Sequence, residues 1–552
     1  MPCNYGRPHL QFMNSNKILP AKSVACLGVF IAMATAMAFS NGQAQGVQHL
    51  STTHPGGFPG WPLLTGIERV TNGVSVTWDG PSGYYQLYQK LSLSSGTWQK
   101  VGGAGLSRQA TIATLSSNAF FKVAGPAPRY AGAEVCLECH ENIHQTEMDT
   151  RHARALETLK SVHQDKNPSC LPCHTVGYGL PTGFISETVT PQLAGVQCEN
   201  CHGPAANHAA NEQDVTVRPR LELAAQVCGG CHTGSHHPTY DEWKSSGHVA
   251  VTEDMSPLSR VNSCGRCHSG SSRLALLKGE DPSVTVTNDA NVGITCVVCH
   301  DPHQHHVWTN VLTGLTYTNQ LRNPLSSTND YSLATTDAFA TKYNPNINIC
   351  AQCHNQRGAS WSSSSRPPHH SPQYNLLLGT AGELDAGAVR WRASHGTQIE
   401  KQCVGCHMAT EEYKSEAEPA YTGHSFRVES FDTCRECHPL PELLAQFATL
   451  SFSMQIQQLK GYLDLWATTK APTALRTKYG VLAWEYSTPG DLSTGTAGPT
   501  SSEQAQIPDN IKKARYNLYI VHNDGSFGIH NGPHAAALLD AARNWLAIEL
   551  NK

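Results

Sequence analysis

The sequence predicts a mostly helical and irregular core, preceded by a small N-terminal β-sandwich-like module and followed by C-terminal helices. Three observations predict this architecture. A five-residue motif, Cys-x-x-Cys-His, occurs nine times between residues 136 and 438, at intervals of 28 to 54 residues. Short alternating apolar runs separated by Gly and Ser precede the motifs, and segments with helical periodicity follow the last one.

The repeated motif is the attachment signature of c-type haem. Its two thiols form thioether bonds with the porphyrin vinyl groups, and its histidine ligates the iron. An isolated Cys-x-x-Cys pair is equally typical of half a zinc ribbon, but here a histidine follows all nine pairs. We therefore predict nine covalently bound haem c groups, and with them a multihaem cytochrome c core.

The predicted ligands follow directly from the motifs. The attachment cysteines are Cys136, Cys139, Cys170, Cys173, Cys198, Cys201, Cys228, Cys231, Cys264, Cys267, Cys296, Cys299, Cys350, Cys353, Cys403, Cys406, Cys434 and Cys437. The proximal iron ligands are His140, His174, His202, His232, His268, His300, His354, His407 and His438.

The positions of the cysteines argue against disulfides in the mature chain, and the net charge argues against nucleic-acid binding. The two cysteines outside the motifs, Cys3 and Cys26, lie in the N-terminal leader, so none is left for a disulfide in the mature chain. The formal charge is −4, and it becomes more negative when the leader and its three cations are removed. A mildly acidic protein lacks the electrostatic footprint of a nucleic-acid partner and favours a basic redox partner.

The first 125 residues are predicted to contain three segments. Residues 1–44 form a signal peptide, in which Lys17 and Lys22 precede an uncharged run. That run is shorter than the roughly twenty residues that span a bilayer, so we predict export to the periplasm or the cell surface and leave membrane association open. Residues 45–59 form a linker, and residues 60–125 form a small β-module similar to a fibronectin type III domain, with Trp78 and Tyr84 as the carriers of that similarity.

Residues 126–438 form the predicted nonahaem domain, and residues 439–552 form a helical segment that packs on it. About 34 residues per haem is too little chain for an aliphatic core around each cofactor, so the porphyrins must form much of the interior. Neighbouring haems must then lie close together. In the tail, one helix is predicted to start at Pro441, a second to follow residue 508, and a third to open near Pro533.

The second axial ligand of each iron distinguishes a carrier from an enzyme. An iron with two histidines is saturated, whereas an open face can bind and transform a small molecule. Local sequence favours nine distal candidates: His152, His208, His236, His248, His303, His370, His395, His424 and His530. His237 and His369 are alternatives to their neighbours His236 and His370, and His144, His163, His305, His306, His522 and His534 rank lower.

Four segments carry a family resemblance: CLPCHTVGYG, GVQCENCHGPAANH, WKSSGH and DGSFGIHNGPHAAALLDAA. Together they resemble the multihaem cytochrome c superfamily. Its members include hydroxylamine oxidoreductase, the tetrahaem cytochrome that accepts its electrons, octahaem tetrathionate reductase and, more distantly, pentahaem nitrite reductase. The resemblance implies haems packed in parallel and perpendicular pairs within a loop-rich shell, with distal histidines donated from neighbouring segments. The reductases often attach the active haem through Cys-x-x-Cys-Lys, but every motif here ends in His.

Nine attachment sites and nine credible distal positions predict an exported nonahaem electron-transfer cytochrome in which all or nearly all irons are bis-His ligated. Its partners would be redox proteins or extracellular electron acceptors, and a homo-oligomer or haem filament is left open. The alternative is an oxidoreductase of small nitrogen or sulfur compounds, such as nitrite, hydroxylamine or tetrathionate, with one five-coordinate haem. No catalytic residue is predicted.

Overall fold

The computed structural model describes a large part of the chain. It covers residues 63–70, 73–79, 84–91, 96–113, 119–125, 129–249, 261–286, 292–331, 345–493, 495 and 497–552. The predicted signal peptide (1–44) and linker (45–59) lie outside the described residues. Two compact units are present, within residues 5–231 and 232–552. The division falls between Cys231 and His232 of the fourth motif, inside the segment predicted as one haem domain.

Six antiparallel strands form the N-terminal module. The sheets have the strand orders β1-β2-β5 and β4-β3-β6. The side chains of both sheets share one buried cluster, in which the rings of Trp78 and Tyr85 meet edge to face at 6.1 Å. The strands are β1 Leu63–Val70, β2 Gly73–Asp79, β3 Tyr85–Lys90, β4 Gln99–Gly105, β5 Gln109–Ala113 and β6 Phe120–Ala124.

Strands β2 to β6 coincide with short alternating runs of the sequence, which are VSVTW, YYQLYQK, TWQKV, ATIA and AFFKV. The first strand, β1, is not marked by such a run. Its pairing with β2 shifts register between Leu64 and Gly66. A register shift moves side chains from one face to the other, so the period-two alternation is interrupted there.

The segment that carries the motifs is mostly short helices joined by loops, as predicted. Its buried apolar clusters contain four to six residues each, far fewer than the cluster of the C-terminal helices. The α-helices are α1 Ala133–Met148, α2 Ala155–Ser161, α3 Leu171–His174, α4 Cys198–His202, α5 Ala206–Ala210, α6 Gln226–Gly229, α7 Thr239–Lys244, α8 Arg266–His268, α9 Gly270–Leu277, α10 Pro282–Thr285, α11 Cys296–Cys299, α12 Gln373–Leu377, α13 Ser394–Gln398 and α14 Cys403–His407.

Other regular elements of this segment are small. Strands β7 His306–Thr309 and β8 Thr316–Asn319 form a two-stranded antiparallel sheet. Short 3-10 turns occur at Pro191–Leu193, Val215–Val217, Gly247–Val249, Cys350–Gln352 and Asp432–Cys434, and a π-helical turn at Val261–Gly265.

The C-terminal segment is helical, as predicted. Its helices are α15 Pro441–Thr469, α16 Thr473–Tyr479, α17 Asp509–Asp524 and α18 Gly532–Leu550, with 3-10 turns at Gly480–Trp484 and Glu503–Gln506. Leu459, Leu463 and Trp466 of α15 pack with Leu518 and Leu538 in the largest apolar cluster of the described residues. None of the described helices is both long and apolar enough to cross a membrane.

Candidate functional site

Each motif is wound into a helical turn. In the sixth, seventh and ninth motifs, for example, the histidine N–H donates to the carbonyl of the first cysteine, at 2.8, 2.9 and 2.9 Å. Residues at positions i, i+3 and i+4 of a helix share one face. The two thiols and the imidazole of a motif are therefore presented to the same side, as a single porphyrin and its iron require.

In residues 232–552, six motif histidines each lie opposite a second histidine. We call these the facing pairs. The distances between ring centres are 6.4 Å for His232–His237, 6.3 Å for His248–His354, 5.9 Å for His268–His369, 6.3 Å for His300–His424, 6.1 Å for His395–His438 and 6.2 Å for His407–His530.

This spacing fits a haem iron between the two rings. A metal–nitrogen bond of about 2.0 Å on each side, added to the distance from each nitrogen to its ring centre, separates the ring centres by roughly 6 Å. The residues of the facing pairs therefore fit bis-His ligation of six irons.

The second ring nitrogen of several of these histidines is hydrogen-bonded. The Nδ1 atom of His395 lies 2.8 Å from the Ile529 carbonyl, and that of His407 lies 3.2 Å from the Phe426 carbonyl. Nδ1 of the motif histidine His202 lies 2.8 Å from the Arg220 carbonyl. A carbonyl accepts a hydrogen bond only from a protonated Nδ1, so Nε2 keeps its lone pair for a metal.

In the His407–His530 pair, the hydrogen-bond partner of His530 is a carboxylate and not a backbone carbonyl. Nδ1 of His530 lies 2.7 Å from Oδ1 of Asp524, a buried residue at the end of α17. A charged acceptor strengthens the hydrogen bond and increases the basicity of the ligand. No sequence signal singled out Asp524 for this role.

Burial keeps two of the distal candidates neutral. Burial, together with the neighbouring His354, lowers the pKa of His248 to about 4. Burial, together with Arg357 and His268, lowers the pKa of His369 to about 3. Both rings are therefore uncharged at neutral pH, which is the state that binds a metal.

The structure distinguishes the members of the two His-His doublets. His237 lies opposite His232, whereas the ring of His236 stacks on Tyr413 at 3.7 Å between centres. His369 lies opposite His268, whereas His370 is exposed. The geometry thus favours His237 and His369, and differs from the predicted choice of His236 and His370, because adjacent residues point in different directions and only one can face the motif.

Two partly buried contacts position distal candidates. The Glu242 carboxylate accepts hydrogen bonds from the backbone N–H groups of Thr422 (2.8 Å) and His424 (2.7 Å). The Trp243 indole donates to the Ile294 carbonyl at 2.9 Å, and Ile294 N–H donates to the His248 carbonyl at 2.9 Å. The WKSSGH segment contains both Trp243 and His248, whereas no sequence signal singled out Glu242.

His152, His208 and His303 remain predicted distal ligands. His152 is half-buried, and its carbonyl accepts a hydrogen bond from Val196 N–H at 2.9 Å, just before the third motif. Gly195 permits this approach, because it has a φ of 82° and a Cβ there would lie 2.2 Å from the Ala153 carbonyl oxygen. His208 lies on α5 with Nδ1 buried, and the backbone N–H of His303 donates to Asp301 at 3.3 Å.

Several lower-ranked histidines have other partners. Nε2 of His534 lies 2.9 Å from the Ala381 carbonyl, and Nε2 of His522 lies 3.0 Å from Asp491. His306 lies 3.7 Å from Asp301, and His144 is buried on α1, 3.9 Å from Glu134. His163 and His305 also stay lower-ranked candidates.

Attachment cysteines of different motifs contact one another. In residues 5–231 the side chain of Cys136 neighbours that of Cys198, and Cys173 neighbours Cys231. In residues 232–552 Cys267 neighbours Cys353, and Cys350 neighbours Cys403. A thioether bond would fix each of these sulfur atoms to a porphyrin edge, so haems attached at the paired motifs would have neighbouring edges.

A carboxylate holds the first and third motifs together. Glu199, the residue after Cys198, is 2% exposed and accepts hydrogen bonds from the backbone N–H groups of Ala131, Gly132 and Ala205 at 3.0, 2.8 and 2.7 Å. Ala131 and Gly132 directly precede α1, which carries the first motif. The third motif thus fixes the start of the helix that carries the first.

Comparison with known proteins matches the motif-bearing segments. The model of the family described as cytochrome c554 and c-prime matches residues 135–203 and 349–439, which contain six of the nine motifs. Cytochrome c-554 of Nitrosomonas europaea is 31% identical over 156 residues, covering 22% of this chain and 64% of that protein. Multiheme cytochrome MtrA of Shewanella baltica is 28% identical over 189 residues, covering 31% of this chain and 46% of that protein. The chain therefore spans less than two thirds of the length of either relative.

Among solved structures, the outer cell wall cytochrome OcwA aligns with 76% of this chain and 99% of its own length. The TM-score is 0.47 and the sequence identity is 20%.

Proposed function

Because the chain belongs to the multihaem cytochrome c superfamily, we propose that it is an exported nonahaem electron-transfer cytochrome whose irons are bis-His ligated. The six facing pairs carry this proposal. Two imidazoles that hold one iron leave no coordination site for a substrate, so such an iron exchanges electrons and does not transform a bound molecule. Each haem, once attached, supplies one-electron redox chemistry, and the chain sets its ligands, neighbours and exposure.

The contacts between motif cysteines support a path between cofactors. Cys350 contacts Cys403 while Cys353 of the same motif contacts Cys267, so the seventh motif joins the fifth and the eighth. In residues 5–231, the first motif joins the third and the second joins the fourth. We infer that electrons pass between haems along these neighbours, in an order that differs from the order of the motifs in the chain.

The solvent exposure of the attachment cysteines supports electron exchange with partners at the first and last motifs. Cys139 and Cys437 are the two exposed attachment cysteines, and the others are half-buried or buried. The proximal histidine of the first motif, His140, is exposed as well. We propose that electrons enter and leave at these two haems, where a redox protein or an extracellular acceptor can approach.

The proposal also covers the predicted signal peptide and the N-terminal β-module. We infer that residues 1–44 direct export to the periplasm or the cell surface, where haem c is attached. The six strands of residues 60–125 share one buried cluster, which supports a small sandwich of the fibronectin type III kind. Since the module carries no attachment motif, we assign it a docking or packing role.

Haem counting and electron paramagnetic resonance together test the proposed function. The exported protein should carry nine haems by mass, and its oxidised form should give low-spin ferric signals. A substantial high-spin ferric signal that changes on addition of nitrite or hydroxylamine would instead support the oxidoreductase alternative. A haem content below nine would show that some motifs are not loaded.

A further inference from the structure

Helix α15 (Pro441–Thr469) has two apolar faces, of which only one is packed. Phe452, Ile456, Leu459, Leu463 and Trp466 form the packed face and are at most 9% exposed. The opposite face carries large apolar side chains that are 37–65% exposed. We call them the α15 stripe: Leu440, Leu443, Leu444, Phe447, Leu450, Met454, Tyr462 and Leu465.

The stripe is continuous and uncharged. Most of its members recur at spacings of three or four residues, and the exposed residues Gln458 and Gly461 lie in the longer interval between Met454 and Tyr462. An ordinary surface helix places charged and polar residues on its solvent face. At about 1.5 Å per residue, this apolar band is roughly 38 Å long.

The exposed apolar area of the stripe approaches what each partner of a stable dimer buries. With about 150 Å² for a large apolar side chain, the eight residues expose roughly 650 Å². That exceeds the largest apolar patch of many monomeric proteins, and it approaches the 800 Å² or so that each partner buries in a standard interface.

Gly461 indicates a close crossing of helices. It lies in the interior of α15, where an exposed glycine destabilises a helix by about 1 kcal/mol relative to alanine. Among the described residues, and apart from the backbone of α15 itself, no atom lies within 4 Å of the position that its Cβ would occupy. A glycine with open space beside it allows the backbone of another helix to approach.

We propose that the α15 stripe binds the same stripe of a second copy of this chain, with the two helices antiparallel about a two-fold axis. A two-fold axis that sets Gly461 against Ser451 also sets Phe447 against Leu465 and Leu450 against Tyr462. The smallest residues then meet at the crossing, and large apolar residues meet on either side. A two-fold interface needs such a self-complementary surface.

Other occupants fit this surface less well. A helix that lies on an anionic membrane carries Lys or Arg beside its apolar face. On α15 the charged residues include Glu442 and the ion pair of Lys460 with Asp464, at 2.7 Å. The inference rests on the surface of α15 and does not depend on the electron-transfer function.

Sedimentation velocity of the haem-loaded exported protein over a range of concentrations tests the proposal. We expect a dimer for the wild type and at least a tenfold increase in its dissociation constant for Phe447→Glu. Val389→Glu is the matched control, since Val389 is 61% exposed in the same unit but lies outside α15. Unchanged haem content and low-spin spectra show that the variants are folded.

A cross-linking variant tests the register independently. Ser451→Cys combined with Gly461→Cys should form disulfide-linked dimers on mild oxidation, because the other mature cysteines are attached to haem. A wild type that stays monomeric at all concentrations overturns the proposal, as does a dimer that Phe447→Glu leaves intact. If the protein dimerises only after residues 1–62 are removed, the N-terminal segment covers the stripe and the proposal is overturned. If the protein is monomeric and binds vesicles through α15, the stripe binds a membrane and the proposal is also overturned.

Discussion

The imidazole of His248 faces that of His354, with 6.3 Å between the ring centres, although the two residues belong to different motif segments. His248 reaches this position because its backbone is held against the segment before the sixth motif, through Ile294 and Trp243. The position of this predicted distal ligand of the seventh motif thus depends on contacts just before the sixth. We therefore expect a substitution near the sixth motif to affect ligation at the seventh.

The His369-His370 doublet provides a direct test of iron ligation. His369→Ala should convert one low-spin ferric haem per chain to high spin, because its ring faces the motif histidine His268. His370→Ala is the matched control, since His370 is the exposed neighbour. Electron paramagnetic resonance of both oxidised variants provides the measurement. Equal spectra for the two variants would show that His369 is not the ligand.

Asp524 is expected to lower the reduction potential of the eighth haem. Its carboxylate accepts the hydrogen bond of His530, which stabilises the ferric state. Asp524→Asn replaces a charged acceptor with a neutral one, a change of roughly 1 kcal/mol, so one component of the potentiometric titration should rise by about 40 mV.

Asp491→Asn is the control for Asp524. Asp491 makes a similar contact with His522, at 3.0 Å, but His522 belongs to none of the facing pairs. A titration that shifts equally in both variants would mean that general charge removal, and not the ligand contact, sets the potential.

Some features of the fold and site could be predicted from the sequence, and others could not. The motifs, the strands after β1 and the proline-started helices have local signals, so the sequence predicted them. The choice between His236 and His237 depends on side-chain direction, which neighbours in sequence do not determine. Asp524 and Glu242 act through contacts with residues that are distant in the chain, and such contacts leave no local pattern.

Glu147 should make the stability of the protein depend on pH. It is 7% exposed on α1, and its Oε2 atom has no hydrogen-bond partner among the described residues. Burial raises its pKa from 4.5 to about 7. The folded state therefore keeps this proton while the unfolded state releases it, so stability falls as pH rises from about 4.5 through 7.

Glu147→Gln removes that pH dependence. The variant should match the wild type at pH near 4 and be more stable above pH 7, by about 1–3 kcal/mol. Thermal unfolding midpoints at acidic and alkaline pH provide the measurement. Glu134→Gln is the control, because the Glu134 side chain is 70% exposed. A gain at acidic pH alone would contradict the assigned direction.

Glu199 should contribute more to stability than any exposed motif glutamate. Glu199→Ala leaves the N–H groups of Ala131, Gly132 and Ala205 without their acceptor, and each buried donor left unsatisfied costs about 1–3 kcal/mol. Relaxation of the chain before α1 lowers the total, so we expect a loss of about 3–5 kcal/mol and faster proteolysis near residue 131. Glu138→Ala is the matched control, since Glu138 lies inside the first motif but is exposed. If both variants unfold at the same temperature and resist protease equally, Glu199 does not join the first and third motifs.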